Sequence, residues 1–204
     1  MRILPCADAG ILVELANLDE VLALYEVLAA DPPAGVTEIV PAARTILLRL
    51  DPDRANPDAV AGAVRTTTPG SVRQRTSSAE VRVPVSYTGA DLADVATHTG
   101  LTQRELVAAH TAAIWTVAFC GFAPGFGYLV CDDPRLVVPR RGEARTAIPA
   151  GSVALAGEFS GIYPRQSPGG WQLIGRTDVV TWDINRDPPG LLQPGTRVRF
   201  EEVT

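Results

Sequence analysis

The sequence contains no lysine: all 18 of its basic residues are arginine. That absence removes several chemistries at once. A Walker-type P-loop needs a lysine on the β- and γ-phosphates, and a protein-kinase site needs its strand lysine. A Schiff base or pyridoxal site needs a lysine amine. Any charge clamp on a carboxylate or phosphate must therefore be arginine, which grips such groups as a two-pronged fork. Histidine is nearly as scarce, with only His98 and His110. Two histidines cannot build a three-histidine metal site, and no His/Cys/Asp cluster has ligand spacing, so no metal is expected. The cysteines Cys6, Cys120 and Cys131 are odd in number and fit no zinc motif, which suits buried thiols in a reducing compartment. No apolar run approaches the roughly 18–20 residues needed to cross a bilayer. Met1–Leu15 carries Asp8 and Glu14 and lacks signal-peptide architecture, so a cytoplasmic location is expected. The net charge of −5 and the scattered arginines argue against nucleic acid or a membrane surface as a partner.

What is present reads as an α+β chain in two parts. In the first, Gly10–Leu15 is a strand candidate. Asn17 caps a helix over about 18–30, with Glu20 in a capping-box-like position, and Asp31-Pro32-Pro33 stops it. Glu38–Val40 and Arg44–Leu50 read as strands, and Asn56-Pro57 opens a second helix to about Thr67. The order β-α-β-β-α predicts a small open sheet with helices on one face. Thr66–Ser78 is too polar to hold a core element, which places domains at 1–70 and 80–204 with a linker at 71–79. The second part opens with Glu80–Ser86, whose alternation puts Val81, Val83 and Val85 on one face. Helices are expected at Asp91–Thr97 and after Thr102, the latter with Glu105 completing a capping box. Short strands should follow at Trp115–Phe119, Leu136–Val138, Ile148, Val153–Ala156, Trp171–Ile174, Val179–Ile184 and Arg197–Val203. Their Gly/Pro punctuation argues a closed or sandwiched β architecture.

Ten of the 18 glycines fall within Phe119–Thr177. Glycine concentrates where backbone takes positive φ or must approach something closely. The first cluster sets Phe122, Pro124, Phe126 and Tyr128 among Gly121, Gly125 and Gly127. It can offer N–H groups and ring faces to a flat ligand, or it can be a tight loop whose rings cover a barrel end. The second holds Arg140, Arg141 and Arg145, then Gly151 and Ser152. Its arginines either clamp an acid or decorate a solvated turn. Ser152 lies in no nucleophile elbow. The third, with Tyr163, Ser167, Gly169, Gly170, Trp171, Arg176 and Thr177, is too long and specific for a generic turn and favours a functional surface. His110 sits near a helix C-terminus, where the dipole favours an imidazolium. It is either a packed or capping residue or a titrating group aimed at the Gly121–Tyr128 loop.

These motifs carry a resemblance. Gly121-Phe122-x-Pro124-Gly125-Phe126-x-Tyr128-Leu129 resembles the signature of the 5-oxoprolinase B-component family. That family is also known as allophanate hydrolase subunit 1 and as the first half of a carboxyltransferase unit in urea carboxylase. Pro149–Ala154, Gly161–Pro164, Ser167–Trp171 and Ile174–Thr177 resemble its second block. His110 and Leu191–Phe200 match as well. Ala43, Trp115, Ala144 and Ser160 depart from the usual residues, and the loop after Tyr87 is shorter than usual. The resemblance implies a small N-terminal α/β domain and a cyclophilin-like β-barrel. It implies two partners, the larger homologous C component and the A component of a hetero-oligomeric complex. It implies opening of 5-oxoproline to glutamate at the expense of ATP, which the partners would share or bind. It implies catalytic roles for His110 and Arg176 and substrate-binding roles for the cluster residues, with Arg140 on an acid. Some similar chains inhibit a sporulation sensor kinase, so a regulatory binding role stays open, as does an allophanate- or urea-derived substrate.

Overall fold

A computed structural model of the chain describes residues 1–70 and 80–203, so the expected linker at 71–79 lies outside the described residues. The chain divides into two compact units, Met1–Gln74 and Arg75–Thr204.

The first unit contains β1 (Arg2–Pro5), β2 (Gly10–Glu14), α1 (Leu18–Ala30), β3 (Val36–Pro41), β4 (Thr45–Leu50) and α2 (Pro57–Thr66). Its sheet has the order β1-β2-β4-β3 and is antiparallel throughout. Asn17 accepts from the Glu20 N–H and Asn56 from those of Asp58 and Ala59, which satisfies orphan donors at both helix starts. Alternation buries Ile11, Val13, Ile46 and Leu48 against Leu24, Leu28, Val60 and Val64. The structure adds one strand to the expected order: β1, four residues at the sheet edge that end on a proline, where no ladder donor is needed.

The second unit runs β5 (Glu80–Val85), α3 (Leu92–Thr99), α4 (Gln103–Ala112), β6 (Trp115–Cys120), β7 (Gly127–Val130), β8 (Arg145–Ile148), β9 (Ser152–Ala156), β10 (Phe159–Ile162), β11 (Ser167–Gly169), β12 (Gln172–Arg176) and β13 (Arg197–Glu202). Seven strands form a barrel-like sheet in the order β12-β9-β10-β7-β6-β13-β5, and β8 pairs β11 as a separate ribbon. The expected capping box on α4 is present, with Thr102 and Glu105 bonded reciprocally. Two expected strands are corrected. Leu136–Val138 is the end of a 3₁₀ turn followed by a single bridge to Gly157. Val179–Ile184 is an irregular loop with one bridge, Trp182 to Gly190. Its apolar alternation resembles a strand's, but no layer covers it, so Val180, Trp182 and Ile184 stay exposed.

The two edges of the sheet meet along a seam. Beyond β5, Ser86 and Arg176 exchange both backbone hydrogen bonds, at 2.8 and 2.9 Å. Further along, the Gly89 N–H donates to Ile174 O and the Asp91 N–H to Leu173 O. Two glycines permit this contact. A Cβ on Gly89 would collide with the carbonyl of Ile174, and one on Gly175 would lie 2.6 Å from Val85 Cγ1.

The barrel core combines Val83, Val85, Leu106, Trp115, Leu129, Val153, Leu155, Ile174 and Phe200. β9 is buried on both faces: Val153 and Leu155 face this core, while Ala154 and Ala156 face a second cluster with Phe126, Ile148, Tyr163, Trp171 and Leu173. Because the atoms opposing a Gly89 Cβ are backbone, they cannot move aside as a side-chain tip would. Gly89→Ala should therefore lower stability by about 1–3 kcal/mol. Urea unfolding checks this, and an unchanged midpoint would show that the seam does not require the close approach.

Candidate functional site

The second cluster carries the candidate site. Phe126 stands at its centre, edge-on to Phe122, Tyr128, Tyr163 and Trp171, with ring centroids 5.3, 5.1, 5.3 and 5.2 Å away. Such edge-to-face arrangements suit the quadrupoles of the rings. Phe119 stacks on Tyr128 at 4.4 Å and extends the platform. The glycines of the motifs make this packing possible. A Cβ on Gly161 would sit 2.9 Å from Phe126 Cζ and 3.1 Å from a Trp171 ring atom, and one on Gly169 would lie beside the Tyr163 hydroxyl. Gly125 has φ +82, and a Cβ there would lie 2.6 Å from Trp182 Cβ. The close approaches that the glycine density predicted are thus made to the protein's own groups.

Phe122 is the exception within this packed group. It is 57% exposed and holds φ +66, in the left-handed region that bulky residues avoid. Turn bonds hold it there: the Gly121 N–H donates to Phe126 O, the Ala123 N–H to Gly121 O and the Phe126 N–H to Ala123 O. With Pro124 and Trp182 it lines a groove of about 490 Å³.

Arg140 is exposed, and its charge acts on both phenols of the platform. Burial pushes the Tyr163 phenol up to about 12, with Arg140 and a Trp171 N–H working against it. Burial also raises Tyr128 against the pull of Arg140. Both phenols therefore keep their protons at neutral pH and can donate. Tyr163 itself is 2% exposed, with its hydroxyl packed beside Gly169, so it braces the cluster from within. The exposed Phe122 ring, the half-buried Tyr128 phenol and the exposed Arg140 guanidinium are groups of the kind that suit a small, flat, acidic molecule.

The other expected site residues divide into two groups. The Gly151 N–H donates to Tyr163 O and its carbonyl accepts from the Thr177 N–H, while the Ser152 carbonyl accepts from the Tyr163 N–H. Ser152, Ser167 and Thr177 are buried. The Ser167 hydroxyl donates to Arg165 O, Thr177 Oγ1 accepts from the Val179 N–H, and the Gly170 carbonyl accepts from the Arg141 N–H. These residues brace the platform. Arg176 lines a different groove, of about 640 Å³, with Ser86, Thr88 and Asp178.

Two readings left open by the sequence are narrowed. Arg141 and Arg145, read either as clamps for an acid or as part of a solvated turn, are bound instead to Asp91. Asp91 is 1% exposed, and its carboxylate accepts two bonds from Arg145 at 2.7–2.8 Å, one from Arg141 and one from the Leu173 N–H. Burial raises its pKa, but Arg145, the Leu173 N–H and Arg141 outweigh that and hold it below the usual carboxylate range. No signal local to Asp91 reveals this, because its partners lie 50 and 54 residues on.

His110 is likewise not aimed at the Gly121–Tyr128 loop. It is fully buried in the barrel core, 4.4 Å in ring centroid from Phe200 and 5.0 Å from Trp115. Nδ1 lies 2.7 Å from the Tyr87 hydroxyl and Nε2 3.2 Å from Ser160 Oγ. Burial drives its pKa down to about 3, so the imidazolium that the helix dipole would favour does not form at neutral pH. It acts as a buried connector between Tyr87 and β10.

The family described as "Carboxyltransferase domain, subdomain C and D" matches residues 1–192. The chain is 48% identical over 123 residues to a protein of Escherichia coli O157:H7 named as the B component of 5-oxoprolinase, covering 59% of this chain and 56% of that protein. It is 45% identical over 123 residues to the protein of the same name from Haemophilus influenzae, covering 59% of this chain and 58% of that one. The chain thus spans little more than half the length of these relatives. The solved structure titled TTHA0988 superposes with a TM-score of 0.77 at 35% identity, over 96% of this chain and 40% of that one. Among the described residues, no helix is long and apolar enough to cross a membrane.

The buried polar groups can be tested separately. Asp91→Ala leaves two arginines without their carboxylate and should cost about 3–5 kcal/mol in denaturant unfolding. An unchanged stability would show that water replaces the carboxylate. For His110, the folded pKa of about 3 lies below the ordinary value of 6.5, so the unfolded state takes the proton first as pH falls. Its contribution to stability is therefore complete above pH 6.5 and declines as the pH falls from 6.5 towards 3. NMR of the His110 ring should show no titration step between pH 8 and 5, and a step near 6.5 would contradict the buried, neutral assignment.

Proposed function

The chain belongs to the family of carboxyltransferase subdomains C and D, and we propose that it is one component of an ATP-dependent 5-oxoprolinase. The reading rests on the 48% identity to a protein named as the B component of such an enzyme. The chain acts with two partners, a larger homologous C component and a third protein, the A component. In the reaction, ATP activates the lactam oxygen by phosphoryl transfer, one water opens the C–N bond and a second releases phosphate. The products are glutamate, ADP and phosphate. A chain without lysine lacks the usual phosphate clamp, so nucleotide binding falls mainly to the partners.

On this reading 5-oxoproline lies at the aromatic platform. Its carboxylate pairs with Arg140, and its amide carbonyl accepts from the phenol of the half-buried Tyr128. Phe122 covers the flat ring. The neutrality of the Tyr128 phenol supports this arrangement, since only a protonated phenol donates to a carbonyl. The family's carboxyltransferase description favours a second reading, in which the same platform holds a urea-derived acid such as allophanate.

The complex reconstituted with both partners tests the proposal. ATP-dependent turnover of 5-oxoproline is expected, and turnover of allophanate or urea in its place would favour the second reading. A charged hydrogen bond is worth about 1.5–3 kcal/mol, so Arg140→Gln should raise KM for 5-oxoproline by roughly ten- to a hundredfold. An unchanged KM would remove Arg140 from substrate binding.

A further inference from the structure

The seam that closes the barrel also builds a second polar site, away from the aromatic platform. Ser86 and Arg176 are directly opposed in an antiparallel bridge. Opposed residues of such a pair project their side chains to the same side of the sheet. Both line the groove of about 640 Å³, as does Thr88, two residues beyond Ser86. Pro84 and Val203 give that groove apolar walls. The backbone beneath it is fixed, because Gly89 and Gly175 hold the two edges at contact distance.

The polar groups here are uncommitted. Among the described residues, the Arg176 guanidinium meets one carboxylate, Asp178, at 3.8 Å, and Asp178 is itself 98% exposed. An exposed pair at that distance contributes almost nothing to stability. The hydroxyls of Ser86 and Thr88 make no side-chain hydrogen bond among the described residues, whereas Thr97, Thr99, Thr111 and Thr177 each make one. The arrangement therefore holds a cation and two hydroxyl donors on a rigid frame with no internal acceptor that satisfies them.

We propose that this seam groove is a subsite for a small oxyanion, a carboxylate or phosphate group, held by the Arg176 guanidinium and the hydroxyls of Ser86 and Thr88. The guanidinium fork takes two oxygens of the group, and the hydroxyls donate to the oxygens that remain. Asp178 already stands in solvent and need not move for the anion to bind, although its negative charge weakens the site. The subsite goes beyond the 5-oxoprolinase reading and does not depend on it.

Amide and arginine side-chain NMR of the full chain tests the subsite without any turnover, so its failure and a failure of the functional reading are separable. Sodium phosphate and sodium acetate serve as probes, with sodium chloride at matched ionic strength as reference. Saturable shifts confined to Ser86, Thr88, Arg176 and Thr177 are expected with at least one probe at a millimolar midpoint, and the tighter probe identifies the group. Arg176→Gln, at an exposed side chain, should abolish the saturation without unfolding the chain. Asp178→Asn should tighten binding severalfold by removing a negative charge beside the anion. Shifts that follow chloride equally, no saturation with either probe, or binding that survives Arg176→Gln would each overturn the proposal.

Discussion

The architecture of the second unit depends on how a curled sheet finds its own far edge. β5 and β12 end the strand order on opposite sides, and no continuous ladder joins them. The segment Ser86–Asp91 joins them instead, running along β12 with backbone bonds to Leu173, Ile174 and Arg176. Asp91 then adds its carboxylate to the same strand and to two arginines from the segment before β9. A buried carboxylate is costly unless nearly all its acceptor sites are filled, and here the fork of Arg145, Arg141 and a backbone N–H fill them. Closing the barrel and fixing the arginine-bearing segment are thus one event.

That coupling bears on the candidate site. Of three arginines close in sequence, two are consumed by Asp91, and the one left over, Arg140, acts through its charge on the platform phenols. The platform itself rests on β9, β10 and β11, which carry small residues where the rings press closest. Gly161 and Gly169 leave room for Phe126, Trp171 and Tyr163. Aromatic rings at such separations are held by packing on several sides, which gives a ligand a preformed surface. His110 belongs to the opposite, inward face of this arrangement, where it ties Tyr87 to β10 through a pair of hydrogen bonds.

Much of this is legible in the sequence wherever the cause is local. Asn17, Asn56 and the Thr102–Glu105 box announce helix starts because a cap acts within three residues. Val83 and Val85 face the core because a strand alternates. The glycine clusters mark a segment of close backbone packing, and Gly161, Phe126 and Tyr163 do converge there. What the sequence hides is partnership at a distance. Nothing near Asp91 names Arg145 as its partner, so the sequence leaves those arginines open between an acid clamp and a solvated turn. Nothing around His110 shows that Phe200 and Trp115 enclose it, so the sequence cannot choose between a packed ring and a titrating one. Val179–Ile184 misleads for the opposite reason. Its alternation is real, but alternation makes a strand only where a neighbouring edge offers hydrogen bonds.

β9 has no solvent face, since Val153 and Leu155 fill the barrel while Ala154 and Ala156 floor the platform. A strand buried on both sides has little room for evolutionary drift. A larger residue at Ala154 would push the rings outward, and a polar one at Val153 would strand a donor or acceptor in the core. Under the proposed function, ligand preference would be set at the rim, by residues such as Arg140 and Phe122 that stand on loops. The floor must stay nearly constant while the rim varies.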